Sequence, residues 1–405
     1  MVHWPRALFL LLLSLLLGAF PYVHESVFAQ DEAASVSEVA LFLSGLRGPE
    51  GSALASLQKS SAWRHYAATL DSQWETLQSK RLNSMEAWAR DELKAQLPKS
   101  KVLFYMFGGP DLISAHTLFP DVSDYILCGL EPLGSIPPLL SLKNSQLSSG
   151  LQILANSLKS IVRLSFFRTL DMQVDFQTGE FSGVLPVLYI FAVRSGHHVT
   201  GMTYVSLDEL GNLKELPGPP ASEEKGVHGI RISMKGKLDG VEQKVYYFKA
   251  NLVNSSLKKN EAILKFMSLY PKWLSYLKAA SYLMHKSYFS IIREFLLKHS
   301  LAILEDDSGI PYRFFSPDSW KVTLYGSYSG VIDLFKEYYQ ESLKKAYSEV
   351  KNPKRIPFVT GYTYLRRSNM LLAISEEKGK ATPVAEALPV ATVTRTVQRV
   401  PSGAT

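Results

Sequence analysis

Large apolar side chains are spaced along this chain in two ways, and each spacing predicts a different element. Between residues 54 and 97 they recur mostly at every third or fourth position, as one buried face of a helix requires. Residues 102–107 and 125–130 are short apolar runs closed by loops with Gly and Pro, which is typical of buried strands. Residues 112–119 leave room for one short helix, so the pattern predicts a strand–helix–strand unit.

The residues before that unit predict an N-terminal helical region. Ser35 and Glu38 stand three positions apart at the start of an amphipathic segment and fit a capping box. Trp63, Trp74 and Trp88 lie on the long helical stripe. Their spacing predicts packing against the following domain, and the alternative is an exposed platform on which sugar rings stack.

The middle of the chain changes character. The apolar residues 184–194 fit either a helix or a strand. Residues 199–207 alternate in part between apolar and polar. Residues 229–234 and 243–252 alternate around a turn, as the two strands of an antiparallel hairpin do. The pattern therefore predicts an antiparallel β insert near residues 199–252.

The C-terminal third returns to helices and strands in alternation. The predicted helices are residues 258–269, 272–297 and 331–350, and the predicted strands are residues 301–304, 321–325 and 357–364. Because strands and helices alternate on both sides of the β insert, we predict a mixed α/β fold. It would be mainly an α/β sheet with helices on its faces, an antiparallel β insert and an N-terminal helical region.

The same pattern predicts four parts: a signal peptide at residues 1–29, the N-terminal helical region packing on the core at 30–98, the α/β core at 99–375 and a disordered tail at 376–405. Arg6 precedes an apolar run that is too short to span a bilayer. We expect cleavage after Ala29, export to the periplasm or the extracellular space, and no transmembrane segment afterwards. An uncleaved anchor is the alternative.

Composition narrows the partners. The net charge is +7 and the isoelectric point is about 9.1, but Lys and Arg are dispersed, so we expect no nucleic-acid partner. An envelope polymer or a small polar ligand is the expected partner, and the basicity favours a weak attraction to anionic surfaces. Cys128 is the only cysteine, which excludes an internal disulfide, and its apolar strand predicts a buried thiol.

Carboxylates follow several of the predicted strands. Asp111 and Glu131 follow the first two strands, and Asp306 and Asp307 follow the strand at residues 301–304. Ligands of α/β sheets bind outside the carboxyl ends of the strands, so we expect these four acids to share one edge as the catalytic groups. Two of them would divide acid and base roles, or several would hold a divalent cation.

Four further residues are candidates for binding a polar ligand. Ser308, Tyr312 and Arg313 follow the second pair of acids, and His116 lies five residues after the first acid. Recognised nucleotide and nucleophile motifs are absent. In particular, residues 326–330 resemble a G-x-S-x-G motif but carry tyrosine where the nucleophile belongs.

A structural role is the competing explanation for each acid. Asp111 is well placed to cap the helix that follows it. Glu131 would favour the dipole of a following helix, and residues 306–309 have an ordinary turn composition.

Four blocks are more distinctive than their composition: Y-x-F-x-G-P-D at 105–111, F-P at 119–120, G-L-E-P-x-G at 129–134 and E-D-D-S-G-I-P-Y at 305–312. In these blocks the chain resembles a group of uncharacterised exported bacterial proteins. The resemblance covers roughly residues 54–372. It implies a bacterial, exported setting and a single large architecture, and it implies no activity.

Two functional hypotheses follow. The first is an exported hydrolase or ligand-binding protein with an acidic site at strand ends. The second is a non-catalytic envelope or scaffold protein that makes contacts through its tryptophan-bearing helices and basic tail. Exposure of Trp63, Trp74 and Trp88 would favour the second hypothesis, and their burial would count against it.

Overall fold

The computed structural model describes residues 34–164, 181–221, 226–362 and 368–376, without the side chains of residues 160–164. The predicted signal peptide and all but the first residue of the predicted tail lie outside these ranges. Among the helices in these ranges, none has the length and apolar character that a membrane span requires.

Ten strands in the described part of the chain form one mixed sheet. They are β1 Val102–Tyr105, β2 Asp124–Gly129, β3 His197–Leu207, β4 Leu213–Leu216, β5 Val227–Gly236, β6 Glu242–Lys249, β7 Trp273–Leu277, β8 Ser300–Glu305, β9 Trp320–Gly326 and β10 Asn369–Ser375. Their order is β4-β3-β5-β6-β2-β1-β7-β8-β10-β9. The five strands from β6 to β8 in this order are parallel, and antiparallel strands extend the sheet on both sides.

The α-helices of the described residues lie on both faces of this sheet. They are α1 Val36–Leu43, α2 Ala55–Gln58, α3 Ser61–Leu77, α4 Asn83–Trp88, α5 Leu112–Leu118, α6 Asn144–Leu164, α7 Leu185–Arg194, α8 Asn254–Lys259, α9 Ala262–Ser268, α10 Ser290–His299 and α11 Glu341–Glu349. Two π-helical turns, Gln78–Leu82 and Ala89–Leu93, follow α3 and α4. The predicted capping box at Ser35 and Glu38 is present, with both reciprocal hydrogen bonds.

Alternate side chains of each central strand enter different layers. Leu103 and Tyr105 of β1 pack with helices α1 to α7, whereas Val102 and Phe104 pack with helices α8 to α11. Because both faces are covered, the parallel strands are apolar at nearly every position. The mixed α/β fold with an N-terminal helical region is thereby confirmed.

The tryptophans of the N-terminal helices belong to the core. Trp63 and Trp88 are buried and Trp74 is half-buried. The Trp88 ring makes edge-on contacts with the rings of Tyr325 and Phe358, at centroid distances of 5.0 and 5.5 Å. The helical region therefore packs on the sheet. An exposed row of tryptophans, on which the scaffold hypothesis partly depended, is not present.

Three predicted elements near the C-terminus were wrong in type or extent. Residues 272–297 contain strand β7, two short 3-10 turns and helix α10 rather than one helix. All five residues of β7 are buried, and a short apolar run buried on both faces has no period of two. Residues 357–362 form no strand, and residues 363 and 364 of that prediction lie outside the described ranges. The last strand within the described ranges is β10. Within residues 331–350 only α11 is α-helical, after a 3-10 segment at Asp333–Tyr338.

The order of the strands changes direction between β1 and β7. From β1 the chain continues through α5 to β2 on one side, and from β7 it continues through α10 to β8 on the other side. We call the side at which β2, β1, β7 and β8 end the carboxyl edge. A reversal of this kind opens a crevice between two strand ends, where α/β proteins bind ligands. Antiparallel β10 begins at the same edge.

Candidate functional site

Loops at the carboxyl edge carry all four predicted acids. Asp111 follows β1, Glu131 follows β2, and Asp306 and Asp307 follow β8 directly. All four side chains are buried. Lys278, which the sequence did not single out, follows β7 in the crevice between β1 and β7. The sheet therefore brings the acids to one side and adds a buried cation.

Asp111 is both a helix cap and half of a buried ion pair. Its Oδ1 accepts a hydrogen bond from the Ser114 N–H at 3.1 Å, so the predicted cap of α5 is present. Its Oδ2 lies 2.6 Å from Lys278 Nζ and accepts a bond from the Tyr105 hydroxyl at 3.0 Å. Lys278 also donates to Ser114 Oγ at 2.8 Å. The pair therefore joins the end of β7 to the start of α5.

Glu131 lies beside the Asp111 loop but caps no helix. Its Oε2 accepts a hydrogen bond from the Tyr247 hydroxyl at 2.8 Å. A Cβ at Gly129 would collide with its carboxylate, and a Cβ at Gly109 would approach Oε1 to 3.3 Å. Since the next helical residues of the chain begin at Leu139, the expected role of Glu131 at a helix start was wrong.

Asp306 organises the loop that follows β7. Its Oδ2 accepts from the Ala279 N–H at 2.9 Å, and its Oδ1 accepts from the backbone N–H and hydroxyl of Ser308. Burial raises the pKa of Asp306, while these bonds and the charge of Lys278 oppose that rise. Lys278 therefore acts on two acids in different loops, Asp111 after β1 and Asp306 after β8.

The strands on both sides of the crevice end in left-handed backbone. Phe107 follows β1 with φ 64°, and Ala279, Ser281 and Tyr282 follow β7 with φ between 51° and 53°. A residue with a side chain is strained in this conformation, at a cost of the order of 1–3 kcal/mol. The loop after β7 is held there by bonds from its N–H groups to Asp306 and its neighbours. Such backbone strain is concentrated at functional sites in proteins.

Asp307 is the most completely held acid of the carboxyl edge. The Tyr282 hydroxyl donates to its Oδ2 at 2.5 Å and the Asn369 amide donates to its Oδ1 at 2.9 Å. Its backbone N–H donates to Asn369 Oδ1, and its carbonyl accepts from Gln340 Nε2, both at 2.9 Å. Bonds from three segments therefore fix this residue in one orientation.

The environment of Asp307 also raises its pKa toward neutral pH. Burial, together with the adjacent Asp306 carboxylate, raises its pKa to about 6, although the bonds from Tyr282 and Asn369 favour the charged form. The carboxylate lies at the wall of the small cavity that Glu305, Gln340 and Asn369 also line. A perturbed carboxylate at a ligand-binding edge is a candidate for proton transfer.

Glu305, the last residue of β8, is a further buried acid at the carboxyl edge, and it was not among the predicted site residues. Its Oε2 accepts from the Ile310 N–H at 2.8 Å, and burial raises its pKa well above the ordinary value. It lines a cavity of about 10 Å³ together with Asp307, Gln340 and Asn369, which is close to the room that one water molecule needs. Only its position at the end of an apolar run could have indicated it.

The other predicted ligand-binding residues divide between two places. Ser308 is buried in the Asp306 loop and Tyr312 is half-buried beside the cavity. Arg313 is exposed, with its guanidinium 5.0 Å from the centre of the Phe314 ring. These three residues share the loop after β8.

His116 is not part of this group, because it lies at the opposite edge of the sheet. Its ring centre is 4.7 Å from that of His197, the first residue of β3. Burial and the neighbouring imidazole lower its pKa to about 4. His197 in turn contacts Gln243, near the start of β6, at 2.8 Å. The grouping of His116 with the acids was therefore wrong.

The carboxylates at the edge do not converge on one point. Within the described ranges no three side chains of His, Cys, Asp and Glu are placed to hold one metal ion. The carboxylates at the edge point to different partners, namely Lys278, Tyr247 and Tyr282.

Comparison with protein-family models, curated proteins and solved structures finds no match to this chain.

Proposed function

We propose that this protein is an exported hydrolase that binds a polar substrate at the carboxyl edge, with Asp307 transferring the proton. The observation that supports this proposal is the state of Asp307 at the carboxyl edge: a buried carboxylate that accepts hydrogen bonds from Tyr282 and Asn369, held also through its backbone N–H and carbonyl, with a pKa of about 6. Catalytic acids and bases work best when their pKa lies near the working pH.

The chemistry assigns a role to each neighbour. As a base, ionised Asp307 takes a proton from a water that attacks the substrate, and as an acid it returns that proton to the leaving group. Tyr282 and Asn369 hold the carboxylate in place, so that little reorganisation is needed during the reaction. Burial raises the pKa of Glu305 well above its ordinary value, which favours the neutral form of this carboxyl group beside Asp307.

Replacement of the carboxylate tests this role. Asp307→Asn keeps the shape and removes the titrating group, and Asp318→Asn changes an exposed acid in the turn before β9. Chromogenic nitrophenyl esters, phosphates and glycosides serve as substrates. We expect Asp307→Asn to lower turnover by about 10²–10⁴-fold and Asp318→Asn to leave it unchanged. No turnover by the unchanged protein, or full turnover by Asp307→Asn, would refute the hydrolase.

Export rests on the N-terminal sequence alone. Arg6, the apolar residues 7–17 and Ala29 have the order of a signal peptide and its cleavage site. We expect N-terminal sequencing of the protein from a Gram-negative host to begin at Gln30, in the periplasmic fraction. Recovery of the uncleaved chain in the cytoplasm would contradict export and would leave the hydrolase untouched.

A further inference from the structure

Five aromatic side chains lie together beside Asp307, and we call them the aromatic surface: Tyr282, His285, Phe335, Tyr338 and Tyr362. The Tyr282 ring is stacked on that of Tyr338, with centres 5.3 Å apart and planes 9° apart. Phe335 lies 4.8 Å from both Tyr282 and Tyr362. His285 lies 5.1 Å from Tyr282. The rings therefore form one continuous cluster.

The outer part of this cluster is accessible. Tyr282 is buried at its base, whereas the other four rings are half-buried. The flanking residue Leu334 is 78% exposed. Apolar and aromatic groups that remain exposed in a cluster are typical of binding surfaces.

The aromatic surface is joined directly to the candidate proton-transfer group. The Tyr282 hydroxyl donates to the Asp307 carboxylate at 2.5 Å. The Tyr362 hydroxyl donates to the Ala279 carbonyl and accepts from the Ser281 N–H at 3.0 Å. Tyr282 and Tyr362 are thus anchored on the left-handed loop after β7, and the Tyr282 ring lies between the outer rings of the surface and Asp307.

The charges around the rings select the kind of ligand. The Lys286 ammonium lies 5.6 Å from the centre of the Tyr338 ring and 5.7 Å from that of Tyr288. A cationic ligand would be repelled there, since a cation already lies over these ring faces. A purely apolar ligand on these rings would remove water from the Lys286 ammonium without replacing its hydrogen bonds.

A sugar ring meets both conditions. One face of a pyranose presents C–H groups that pack on an aromatic ring, and its hydroxyls bond to a charged group at the rim such as the Lys286 ammonium. We propose that the aromatic surface binds a pyranose ring of an oligosaccharide, with Tyr282 between that ring and Asp307. This inference rests on the proposed function, because it names the substrate class of the same site.

Binding measured apart from turnover tests the inference. The probes are oligosaccharides of neutral hexoses, N-acetylhexosamines and uronic acids on an array, followed by calorimetry with the best of them. We expect Phe335→Ala and Tyr338→Ala to weaken binding at least tenfold, and Tyr338→Phe to retain it. Tyr339→Ala is the matched control in the same segment, because its ring contacts Tyr328 outside the cluster. We expect Tyr339→Ala to bind the oligosaccharide as tightly as the unchanged protein does.

The outcomes separate the two proposals. Binding that survives in Asp307→Asn without any turnover in the unchanged protein supports the sugar surface and refutes the hydrolase. Turnover of a phosphate or ester together with no binding on the whole array refutes the sugar surface and leaves the hydrolase standing. The inference is also overturned if Phe335→Ala and Tyr338→Ala bind the oligosaccharide as tightly as the unchanged protein does, with equal circular dichroism.

Discussion

Removing one hydroxyl group should move the pKa of Asp307 farther from that of an ordinary aspartate. Tyr282→Phe keeps the ring of the aromatic surface and deletes the donor that lies 2.5 Å from Asp307 Oδ2. That bond favours the ionised carboxylate, and burial and the Asp306 charge oppose it. With the donor gone, the opposing effects act with less compensation, so the pKa should rise above its value of about 6.

The size of the rise follows from the strength of the bond. A hydrogen bond to a charged group contributes about 1.5–3 kcal/mol, and one pH unit corresponds to about 1.36 kcal/mol. The expected rise is therefore about one to two pH units. The Asn369 bond is retained, which keeps the carboxylate in place and limits the change to the lost donor.

Carbon NMR of protein labelled at the aspartate carboxyl carbons measures this directly. Asp307→Asn identifies the resonance by its disappearance, and titration of the unchanged protein and of Tyr282→Phe compares the midpoints. Tyr339→Phe is the control, because that hydroxyl lies on an exposed residue outside the site. A midpoint in Tyr282→Phe that is equal to or lower than that of the unchanged protein would refute the assignment of Tyr282 as the stabilising donor.

Three further outcomes are expected from urea unfolding. The folded pKa of Asp307 is raised to about 6 from the ordinary aspartate value of 3.8. Its contribution to the free energy of unfolding is therefore fully present below pH 3.8 and is lost as pH rises through 6. Relative to Asp307→Asn, the unchanged protein should lose roughly 3 kcal/mol of stability between pH 3.5 and pH 7. The folded pKa of His116 is lowered from 6.5 to about 4. Its contribution to the free energy of unfolding is therefore present above pH 6.5 and is lost as pH falls through 4. Relative to His116→Phe, the unchanged protein should lose roughly 3 kcal/mol of stability between pH 7 and pH 4. Lys278→Met should cost about 3–5 kcal/mol at pH 7 because it leaves the Asp111 charge buried, and Lys345→Met, which breaks an exposed pair, should cost less than about 1 kcal/mol. Equal pH dependence in either histidine or aspartate pair, or equal costs for the two lysines, would contradict these assignments.

The acids at the strand ends were predictable because strand ends have a strong local signature. Asp111, Asp306 and Asp307 each follow a short apolar run and coincide with turn or cap residues. Their presence at one edge followed from the expectation of parallel strands, which the topology bears out. Their hydrogen-bond partners were not predictable, because Asn369 and Gln340 are more than 30 residues away in the chain.

Lys278 and Tyr282 were missed for a related reason. Both follow β7, whose residues are buried on two faces and were therefore assigned to a helix. A strand that is hidden in this way also hides the loop after it. Conversely, His116 was grouped with Asp111 because five residues separate them, but α5 carries it to the far edge of the sheet, beside His197.

Local periodicity and turn chemistry were enough to predict the mixed α/β class, the N-terminal helices with their capped start, the antiparallel insert and the loops in which acids occur. The partner of each acid emerged only from the packed chain. Those partners come from distant parts of the chain, such as Lys278 for Asp111 and Asn369 for Asp307. These pairings are properties of a packed interior, in which the free energy of a charge is set by what surrounds it rather than by its neighbours in sequence.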